Sequence, residues 1–452
     1  MTRRNWSTSS AVATLVLWVC ALGAHSWAAY AGEDAGPATE ESGGGDHEPG
    51  SEFVVEWNQT LLEVAEAEDG FLTLKGVRAA AMMHAAMHDA WNVSVARYET
   101  YRPHAGRVTV DPLAAANEAA FFVAIDQYPD AAPRFDQLRD RWRLASPVSE
   151  GAREGGAAAA RAVLESRAGD GWDGEAEYTW HPMGPGVYAE FREHSGTPEG
   201  FIFGAGWAKA RPFLLESPDQ FRVPPPPAID SEQYTRAYDE VKSVGAHRSP
   251  TRTPDQTHLA MWWKEFVESS HNRLARELTS RQQLPPAAAL RMFALLNMSI
   301  FDAYVCVFDN KFHYNHWRPY TAIRWAEHDG NPRTEPDPSW TNLHDHTYAF
   351  PSYPSAHGCA SAAAMTVLAD TFGEPTSFTM RIPLVDRAGP MSGKIATDPP
   401  TRSFGSFHQA ALECSMSRVY LGIHFRYDSE VGYELGSKVG SYAVGRYLRP
   451  VR

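Results

Sequence analysis

The chain has few cysteines, and their arrangement does not indicate a disulfide framework or a zinc site. Four occur among 452 residues, and one of them, Cys20, lies in an apolar run near the N-terminus. The other three, Cys306, Cys359 and Cys414, are an odd number without the short spacings typical of metal ligands. Each lies in a helix-like stretch, where we expect a small buried thiol.

Basic charge is also scarce. Asp and Glu outnumber Lys and Arg by 55 to 41, which gives a formal net charge of -14. A general nucleic-acid-binding protein would present a basic surface, so we expect no nucleic-acid partner. Against this acidic background, the Lys and Arg residues of the C-terminal motifs can focus an anion locally.

Long apolar runs are absent from the chain after its N-terminal segment. The most hydrophobic later stretch, residues 290–308, is interrupted by Arg291, Asn297 and Asp302. We therefore expect no membrane span in the mature protein.

The first 31 residues have the features of a secretory signal peptide. Two arginines precede an apolar run over residues 11–24, and Ala29-Tyr30-Ala31 is a small-x-small cleavage site. An uncleaved anchor and a lipoprotein modified at Cys20 are the less favoured alternatives. We expect cleavage after Ala31 and export to the periplasm or the extracellular space. Residues 32–51, rich in Gly, Glu and Ser, are expected to form a flexible leader.

Strand patterns are scarce, and the dominant hydrophobic period is helical, which predicts an all-α fold. The expected helices cover residues 57–67, 74–95, 113–125, 132–144, 152–166, 231–244, 253–270, 290–308, 356–372, 404–421 and 429–447. A stretch rich in Gly, Pro and aromatic residues, 172–227, interrupts them as a long connection. We therefore expect an N-terminal helical scaffold half over residues 52–227 and a C-terminal catalytic bundle over residues 228–452.

The two halves share a short pattern that suggests an internal duplication. Arg78 and Asp89 are 11 residues apart in the first half, as are Arg291 and Asp302 in the second. An Arg-Pro pair follows each of them, at 102–103 and 318–319. We therefore expect two related helical bundles packed together.

His84 and His88 are four residues apart and precede Asp89, so they resemble a pair of metal ligands. Their counterparts in the second half are Asn297 and Phe301, and no third ligand is evident nearby. A structural role is therefore the favoured interpretation.

Three segments of the C-terminal half together indicate an oxyanion site. Lys311 and Arg318 flank a helix end, because Pro319 disfavours a helical residue before it. An arginine supplies a planar fork that matches an oxyanion, and a lysine supplies a compact charge. Either residue alone would more simply be a solvated surface cation.

The second segment is Pro354-Ser355-Ala356-His357, which precedes a run of small residues. Ser355 is at the expected N-cap of a helix, where free backbone amides and the helix dipole favour an anion. His357 in the first turn has a side chain suited to proton transfer. The alternative is an ordinary capped helix with an uninvolved histidine.

The third segment contains Ser417-Arg418, His424 and Asp428. The spacing of four residues between His424 and Asp428 allows the carboxylate to hold one ring nitrogen and leave the other for the ligand.

In these three segments the chain resembles the superfamily of vanadium-dependent haloperoxidases and type 2 phosphatidic-acid phosphatases. Its motifs are Lys-x6-Arg-Pro, Pro-Ser-Gly-His and Ser-Arg-x5-His-x3-Asp, and they span residues 311–428 here. The helical halves resemble the paired bundles of its soluble bacterial and fungal haloperoxidase branch.

The resemblance implies a role for each motif residue. His424 would be the apical vanadium ligand, or the nucleophile in a phosphatase, His357 the general acid and base, and Asp428 the residue that orients His424. The residues implied to bind the oxygens of vanadate or phosphate are Lys311, Arg318, Ser355, the Ala356 amide and Arg418. Ala356 departs from the family's Gly, and its methyl group is expected to crowd the oxyanion or alter the backbone.

Further aromatic and histidine residues surround these motifs. Phe350 resembles the aromatic position of fungal chloroperoxidases and is either a pocket wall or a core residue. Four histidines, His313, His316, His344 and His346, show no metal-like spacing and are interpreted as loop or rim residues.

The resemblance implies a vanadate cofactor and the oxidation of halide by hydrogen peroxide to hypohalous acid. A soluble acid phosphatase that hydrolyses phosphate monoesters through a phosphohistidine, without vanadate, is the first alternative. A non-catalytic oxyanion-binding protein is the second. The motifs do not separate the first two, and the exported two-bundle chain favours the haloperoxidase. The sequence does not indicate an oligomeric state.

Overall fold

The computed structural model describes residues 50–451 except 70–72, 104–108, 175 and 384–397. The predicted signal peptide and all but the last two residues of the predicted leader lie outside the described residues. The fold is mostly helical, and the prediction of an all-α protein is confirmed.

Five helices precede the long connection: α1 (Glu52–Asp69), α2 (Lys75–Val95), α3 (Pro112–Gln127), α4 (Ala132–Ala145) and α5 (Glu150–Ser166). The short α6 (Arg192–Ser195) lies within the connection. The helices that follow are α7 (Glu232–Val244), α8 (Pro254–Trp262), α9 (Val267–Arg281), α10 (Pro286–Tyr314), α11 (Pro319–Arg324), α12 (Ala356–Phe372), α13 (Phe407–Leu421) and α14 (Arg426–Arg446). Short 3-10 turns are present at Pro129–Ala131, Trp207–Lys209 and Ala326–His328.

Two parts of the second half differ from the expected helices. The helix expected over residues 253–270 is two helices, because the chain turns between α8 and α9. The turn buries the rings of the consecutive residues Trp262 and Trp263, which contact each other edge to face. In one continuous helix, successive side chains point about 100° apart, so the two rings would point in different directions. The second difference is an antiparallel pair of strands, β1 (Phe378–Arg381) and β2 (Thr401–Phe404).

The longest helix, α10, runs through the core. It packs against α2 of the first half and against α12 and α14 of the second. Among the described residues it is the one helix long and apolar enough to cross a membrane, and 94% of its most apolar window is buried inside the fold. Such burial is typical of a core helix, and the expected absence of a membrane span stays a prediction.

The two halves pack by the same scheme. The alanine-rich α3 packs against α2 and α5 of the first half, as α12 packs against α10 and α14 of the second. Glycines allow the close approach in both cases. A Cβ at Gly156 of α5 would lie 2.5 Å from the Ala115 carbonyl oxygen, and one at Gly436 of α14 would lie 2.0 Å from the Cys359 carbonyl oxygen.

A buried polar chain joins the halves where α1, α2, α9 and α10 meet. The amide of Asn58 contacts Nε2 of His84 at 2.9 Å, and Asn272 in the second half bonds Asn297 at 2.9 Å. Asn58 also donates to Asn272 at 2.8 Å, which links the two pairs. The equivalence of His84 and Asn297 confirms the prediction of two related bundles, and it gives His84 a structural role.

Asp89 and Asp302 have the same function in the two halves. Asp89 accepts hydrogen bonds from the backbone amides of Tyr101 and Arg102, at 2.6 and 2.7 Å. Asp302 accepts three, from the amides of residues 213–215, at 2.6 to 2.9 Å. Each carboxylate therefore fixes a loop, because it accepts hydrogen bonds from backbone amides that lie outside helices and strands.

The connection over residues 172–227 packs beside the segments that carry the motifs. The amide of Tyr188 donates to the carbonyl of Asn315 at 2.9 Å, and that of Phe203 donates to the carbonyl of Ala349 at 3.0 Å. The expected boundary between the halves, at residue 227, stays a prediction.

Candidate oxyanion site

The tertiary structure brings all three motifs together. Lys311 lies in the last turn of α10, and Arg318 is the N-cap of α11. Ser355 is the N-cap of α12, and its amide donates to the carbonyl of Asp428 at 2.9 Å. Arg318 reaches the third motif by donating from Nη1 to the carbonyl of Ile423 at 2.9 Å.

His424 is held in a single ring orientation. Its Nδ1 lies 2.9 Å from Oδ2 of Asp428, which also accepts the Phe425 amide at 3.2 Å. When Asp428 is ionised, its carboxylate only accepts, so the imidazole proton is then on Nδ1 and Nε2 keeps its lone pair. Nη1 of Arg318 lies 3.1 Å from Nε2 and donates to it. Nε2 is therefore the ring nitrogen that would bind a metal or phosphorus atom, in place of the hydrogen bond from Arg318.

Arg318 is fully buried and retains an unused donor. Its Nε donates to the carbonyl of Phe350 at 2.8 Å, while its Nη2 has no hydrogen-bond partner among the described residues. Burial lowers the pKa of Arg318 to about 10. A buried unpaired donor on a cation is costly, and an oxyanion would satisfy it.

Lys311 is fully buried beside Arg318. Its Nζ donates to the carbonyls of Pro351 and Ser352, at 3.0 and 2.6 Å. Burial, with a smaller contribution from Arg318, holds the pKa of Lys311 well below its usual value. A bound anion next to Lys311 would raise that pKa again, because it offsets the desolvation of the ammonium.

The N-terminus of α12 is built from neutral residues. The Ser355 hydroxyl accepts the Gly358 amide at a long 3.4 Å, so the first-turn amides are only weakly capped. Ala356 is the first residue of α12 and does not have a positive φ. The alanine is therefore compatible with the backbone that this chain adopts, and the expected effect of its methyl group on the oxyanion or the backbone stays a prediction.

His357 is partly buried in the first turn of α12. Its Nε2 lies 3.1 Å from the carbonyl oxygen of Glu265, in the turn between α8 and α9. A carbonyl only accepts, so Nε2 carries the proton and Nδ1 keeps a lone pair. Burial, followed by Arg418, holds the pKa of His357 well below its usual value, which keeps the ring neutral.

Arg418 lies in the last turn of α13 with 2% of its surface exposed. Its Nε donates to the Ser417 hydroxyl at 3.0 Å, and its Nη2 donates to the carbonyl of Ala260 at 3.3 Å. Its charge contributes to lowering the pKa of both His357 and His424.

The buried charges of the site have shifted pKa values. Burial raises the pKa of Asp428 to about 7, although Lys311 and Arg318 oppose this shift. Burial lowers the pKa of His424 well below its usual value, and the nearby cations lower it further. The His424 ring is therefore neutral near pH 7, with a lone pair on Nε2.

Phe350 lies against the cations of the site. Its ring centroid is 4.5 Å from the guanidinium carbon of Arg318 and 5.2 Å from Nζ of Lys311. The ring is partly buried and also contacts Phe308 and Phe203. This position agrees with both interpretations of Phe350, because the ring packs in the core and borders the site.

The four nearby histidines are not all at the rim. His313 is exposed in the last turn of α10, whereas His316, His344 and His346 lie in loops, which is one of the two expected positions, but are buried there and not at the rim. His316 is held by the Tyr427 hydroxyl at 2.8 Å. The burial arises because the 341–350 segment packs beneath the connection, which sequence spacing does not reveal.

Lys264 and the Glu265 carbonyl were not expected near the site. Lys264 is 6% exposed, and its charge lowers the pKa of His344 and His346. Both residues belong to the turn that replaces the middle of an expected helix. The helical periodicity of that segment contains no signal for the turn.

Comparison with known proteins identifies relatives for this arrangement. A family model described as the VCPO second helical-bundle domain matches residues 291–452. Vanadium chloroperoxidase from Curvularia inaequalis is 23% identical over 279 residues, which cover 48% of this chain and 44% of that protein. The chain thus matches less than half the length of this curated relative.

Solved structures extend the likeness over most of the chain. The first bacterial vanadium-dependent iodoperoxidase has a TM-score of 0.70 and 24% identity, and the match covers 89% of this chain and 98% of that one. A holo-type bacterial vanadium-dependent chloroperoxidase has a TM-score of 0.61 and 17% identity over 81% of this chain and 90% of that one. At these identities the likeness shows the fold.

The chain has the fold of the vanadium-dependent haloperoxidases, and the resemblance predicted from its three motifs is confirmed. Within it, residues 291–452 match the model of the second helical-bundle domain.

The donor set of the site fits an oxyanion such as vanadate. Arg318 has an unpaired buried Nη2, the first turn of α12 is weakly capped, and Nε2 of His424 has a lone pair. Two further cations, Lys311 and Arg418, are buried within the same cluster. No cluster of three His, Cys, Asp or Glu residues suited to a metal ion occurs in the part of the chain that the structure describes. A metal oxyanion held by a single histidine and by cations needs no such cluster.

Proposed function

We propose that this protein is a vanadate-dependent haloperoxidase that oxidises a halide with hydrogen peroxide to hypohalous acid. The observation that carries the proposal is the pairing of two groups. One is the unpaired Nη2 of Arg318, and the other is the lone pair of His424, whose ring is held by Asp428. A bound vanadate would accept a hydrogen bond from Nη2 and would take the lone pair that Nη1 of Arg318 otherwise occupies.

The site residues have complementary tasks in this proposal. Nε2 of His424 would be a vanadium ligand, and Asp428 fixes the tautomer that makes this nitrogen a ligand. The oxygens of vanadate would be held by Lys311, Arg318, Ser355, the Ala356 amide and Arg418. Vanadate, when bound, would supply Lewis-acid chemistry that makes hydrogen peroxide reactive toward a halide.

His357 is the residue placed to move a proton. Its Nε2–H is held by the Glu265 carbonyl, so Nδ1 is the atom that would accept a proton from hydrogen peroxide. The lowered pKa of His357 keeps this nitrogen unprotonated at neutral pH. The buried cations Arg318 and Arg418 would draw negative charge away from the reacting oxygens, which makes them better electrophiles for the halide.

The same neutral Nε2 of His424 would also serve as the nucleophile of a phosphatase acting on phosphate monoesters. The haloperoxidase is preferred because the curated relative and the solved structures of similar fold are vanadium haloperoxidases.

The test is a parallel assay of the purified mature protein. With orthovanadate, we expect peroxide-dependent halogenation of a diketone in the presence of iodide, bromide or chloride. Hydrolysis of p-nitrophenyl phosphate is measured on the same preparation. Hydrolysis that vanadate inhibits, without halogenation under any condition, would overturn the haloperoxidase in favour of the phosphatase. Stabilisation by phosphate against heat, with neither activity, would identify an oxyanion-binding protein.

We also propose that the protein is exported, on the basis of the signal-like residues 1–31. Expression of the full chain in a bacterium, followed by N-terminal sequencing of the exported protein, tests this. Recovery of a protein that begins after Ala31 is expected, whereas an intact N-terminus in the cytoplasm would contradict it.

A further inference from the structure

A row of aromatic side chains leads away from the oxyanion site. Residues 344, 346, 348 and 350 alternate along one segment, and their rings contact one another. Phe350 and Tyr348 have ring centroids 5.9 Å apart, and Tyr348 and His346 are 5.0 Å apart. His346 and His344 follow at 5.7 Å. The row starts at Phe350, which covers Arg318 and Lys311, and ends at His344.

His344 differs from the other buried histidines of this region in its hydrogen bonding. It is 3% exposed, and neither of its ring nitrogens has a partner among the described residues. Nearby His194, by contrast, contacts the hydroxyls of Thr347 and Thr341 through its two nitrogens, at 3.1 and 2.9 Å. A buried imidazole loses its hydration on folding, so two unpaired nitrogens point to a ligand that the ring would bind.

The charges around His344 are those that favour a small anion. Burial lowers the pKa of His344, and the next contributions come from Lys264, His346, Arg418 and His194, none of which is acidic. The ring is therefore neutral and offers one N–H donor. Arg418 is among the residues proposed to hold the oxyanion, so His344 lies on the side of the site that Arg418 borders.

The surroundings of His344 restrict the ligand further. Both ring nitrogens are buried, so a ligand that binds them would be shielded from water. A monatomic anion needs one or two donors and a wall of low polarity. The edges of the Tyr348 and Phe350 rings, which are partly buried, supply that wall and carry positive partial charge.

We propose that His344 is a halide-binding residue, which donates its ring N–H to a halide ion held beside the Arg418 guanidinium. This inference rests on the proposed haloperoxidase function, and it adds a residue outside the three motifs as a determinant of halide affinity. The halide would enter along the Tyr348 and Phe350 end of the row, which is partly open to solvent.

The first test is direct and does not need activity. Crystals of the wild-type protein are soaked in bromide, and the anomalous signal of bromine is mapped. A bromide ion in contact with a ring nitrogen of His344 is expected. Ordered bromide elsewhere in the site, with none at His344, would overturn the inference even in a protein that proves to be a haloperoxidase.

The second test is kinetic and uses His344→Phe, which keeps the ring volume and removes the donor. We expect the KM for bromide to rise about tenfold, the usual effect of losing one hydrogen bond to an anion. The KM for hydrogen peroxide should change less than about twofold, because vanadate and its ligands remain. The control is His88→Phe, which removes a buried histidine of the first half and should leave the KM for bromide unchanged.

His344→Gln distinguishes hydrogen bonding from packing. A glutamine retains an N–H donor, so this variant should recover most of the bromide affinity lost in His344→Phe. Equal losses in both variants would mean that ring packing is responsible, and the inference would be wrong. A wild-type protein that halogenates nothing, yet binds bromide at His344, would refute the proposed function and retain the anion site.

Discussion

The two helical halves share a packing scheme, yet the buried arginines Arg78 and Arg318 differ in their hydrogen-bond partners. In the first half, Arg78 donates to Asp170, to Gln127 and to the Arg167 carbonyl, at 2.8, 3.0 and 2.8 Å. In the second half, Arg318 donates to two backbone carbonyls, and among the described residues it has no carboxylate partner and no partner at Nη2. A cation with a structural role is paired with a carboxylate of the protein, whereas a cation that binds a ligand keeps a hydrogen-bond donor for that ligand.

The N-termini of the two alanine-rich helices differ in the same way. α3 is capped by Asp111, whose carboxylate accepts the Ala114 amide at 2.9 Å. α12 is capped by the neutral Ser355, with a contact of 3.4 Å. A carboxylate at the N-cap occupies the amides and repels an anion, so α3 is a structural helix and α12 is able to receive an oxyanion.

The sharpest test of this comparison replaces one buried histidine in each half by glutamine. His424→Gln should reduce halogenation by at least about a thousandfold, because the proposed metal ligand is lost. His88→Gln alters a ring held by Asp89 and Asn92 in the first half and should affect stability alone. Turnover and vanadate affinity are measured per folded molecule. Similar activity losses in both variants would contradict the division of roles.

A second test compares the buried arginines through stability. Arg78→Met removes one of the two arginines that the buried Asp170 contacts and leaves Arg167 and the Trp172 amide, so it should cost about 3 kcal/mol in the free energy of unfolding. Arg318→Met should cost less in oxyanion-free protein, since a guanidinium with an unpaired nitrogen is removed. Urea denaturation with and without phosphate provides the measurement. Phosphate should stabilise the Arg78 variant and not the Arg318 variant.

A third test uses Asp428→Asn, which should weaken vanadate binding by about 10- to 100-fold because the His424 ring is no longer fixed. It should also change the pH dependence of stability. The pKa of Asp428 is raised from 3.8 to about 7, so between these values the folded protein binds a proton that the unfolded chain releases. The free energy of unfolding therefore falls as the pH rises through this range, by about 1.4 kcal/mol per pH unit at most.

The asparagine variant removes this contribution. Its free energy of unfolding should gain about 2 kcal/mol relative to wild type between pH 5 and pH 7. The lowered pKa of His424 acts with the opposite sign, favouring the folded state as the pH rises toward 6.5, and it is present in both proteins. Identical pH slopes for the two proteins would contradict the raised pKa of Asp428.

A fourth test exchanges the two helix caps. Ser355→Asp places a carboxylate at the proposed site and should weaken phosphate or vanadate binding by about tenfold or more. Asp111→Ser makes the converse change in the first half and should alter stability by about 0.5 kcal/mol or less, since serine also caps. Calorimetric titration with phosphate measures the first effect, and thermal denaturation the second. Unchanged phosphate affinity of Ser355→Asp would place the anion elsewhere.

The smallest effect is expected from Ala356→Gly, which introduces the residue that the family has at this position. Because position 356 is already helical, glycine should lower stability by about 0.5 to 1 kcal/mol and change vanadate affinity by less than about threefold. Thermal denaturation and vanadate titration measure the two quantities. A tenfold gain in affinity would show that the methyl group crowds the oxyanion.

Much of the fold was predictable because its helices have strong hydrophobic periodicity. The helix over 356–372 has the expected bounds, and the spacing of Arg78 and Asp89 against Arg291 and Asp302 indicated the duplication. The break between α8 and α9 was missed, because it depends on the burial of Trp262 and Trp263 against distant elements. The β1–β2 pairing likewise joins segments more than 15 residues apart.

For the candidate site, the sequence alone determined which chemical groups are present and which of them are neighbours. His424 and Asp428 are four residues apart at the start of a helix, so local geometry was enough to predict their contact. Only the tertiary structure decided which polar groups stay unpaired. Nη2 of Arg318 and both nitrogens of His344 lack partners because of packing between distant segments, and the Glu265 carbonyl reaches His357 across 92 residues. Local contacts follow from sequence spacing, whereas the satisfaction of a buried donor depends on every segment that surrounds it.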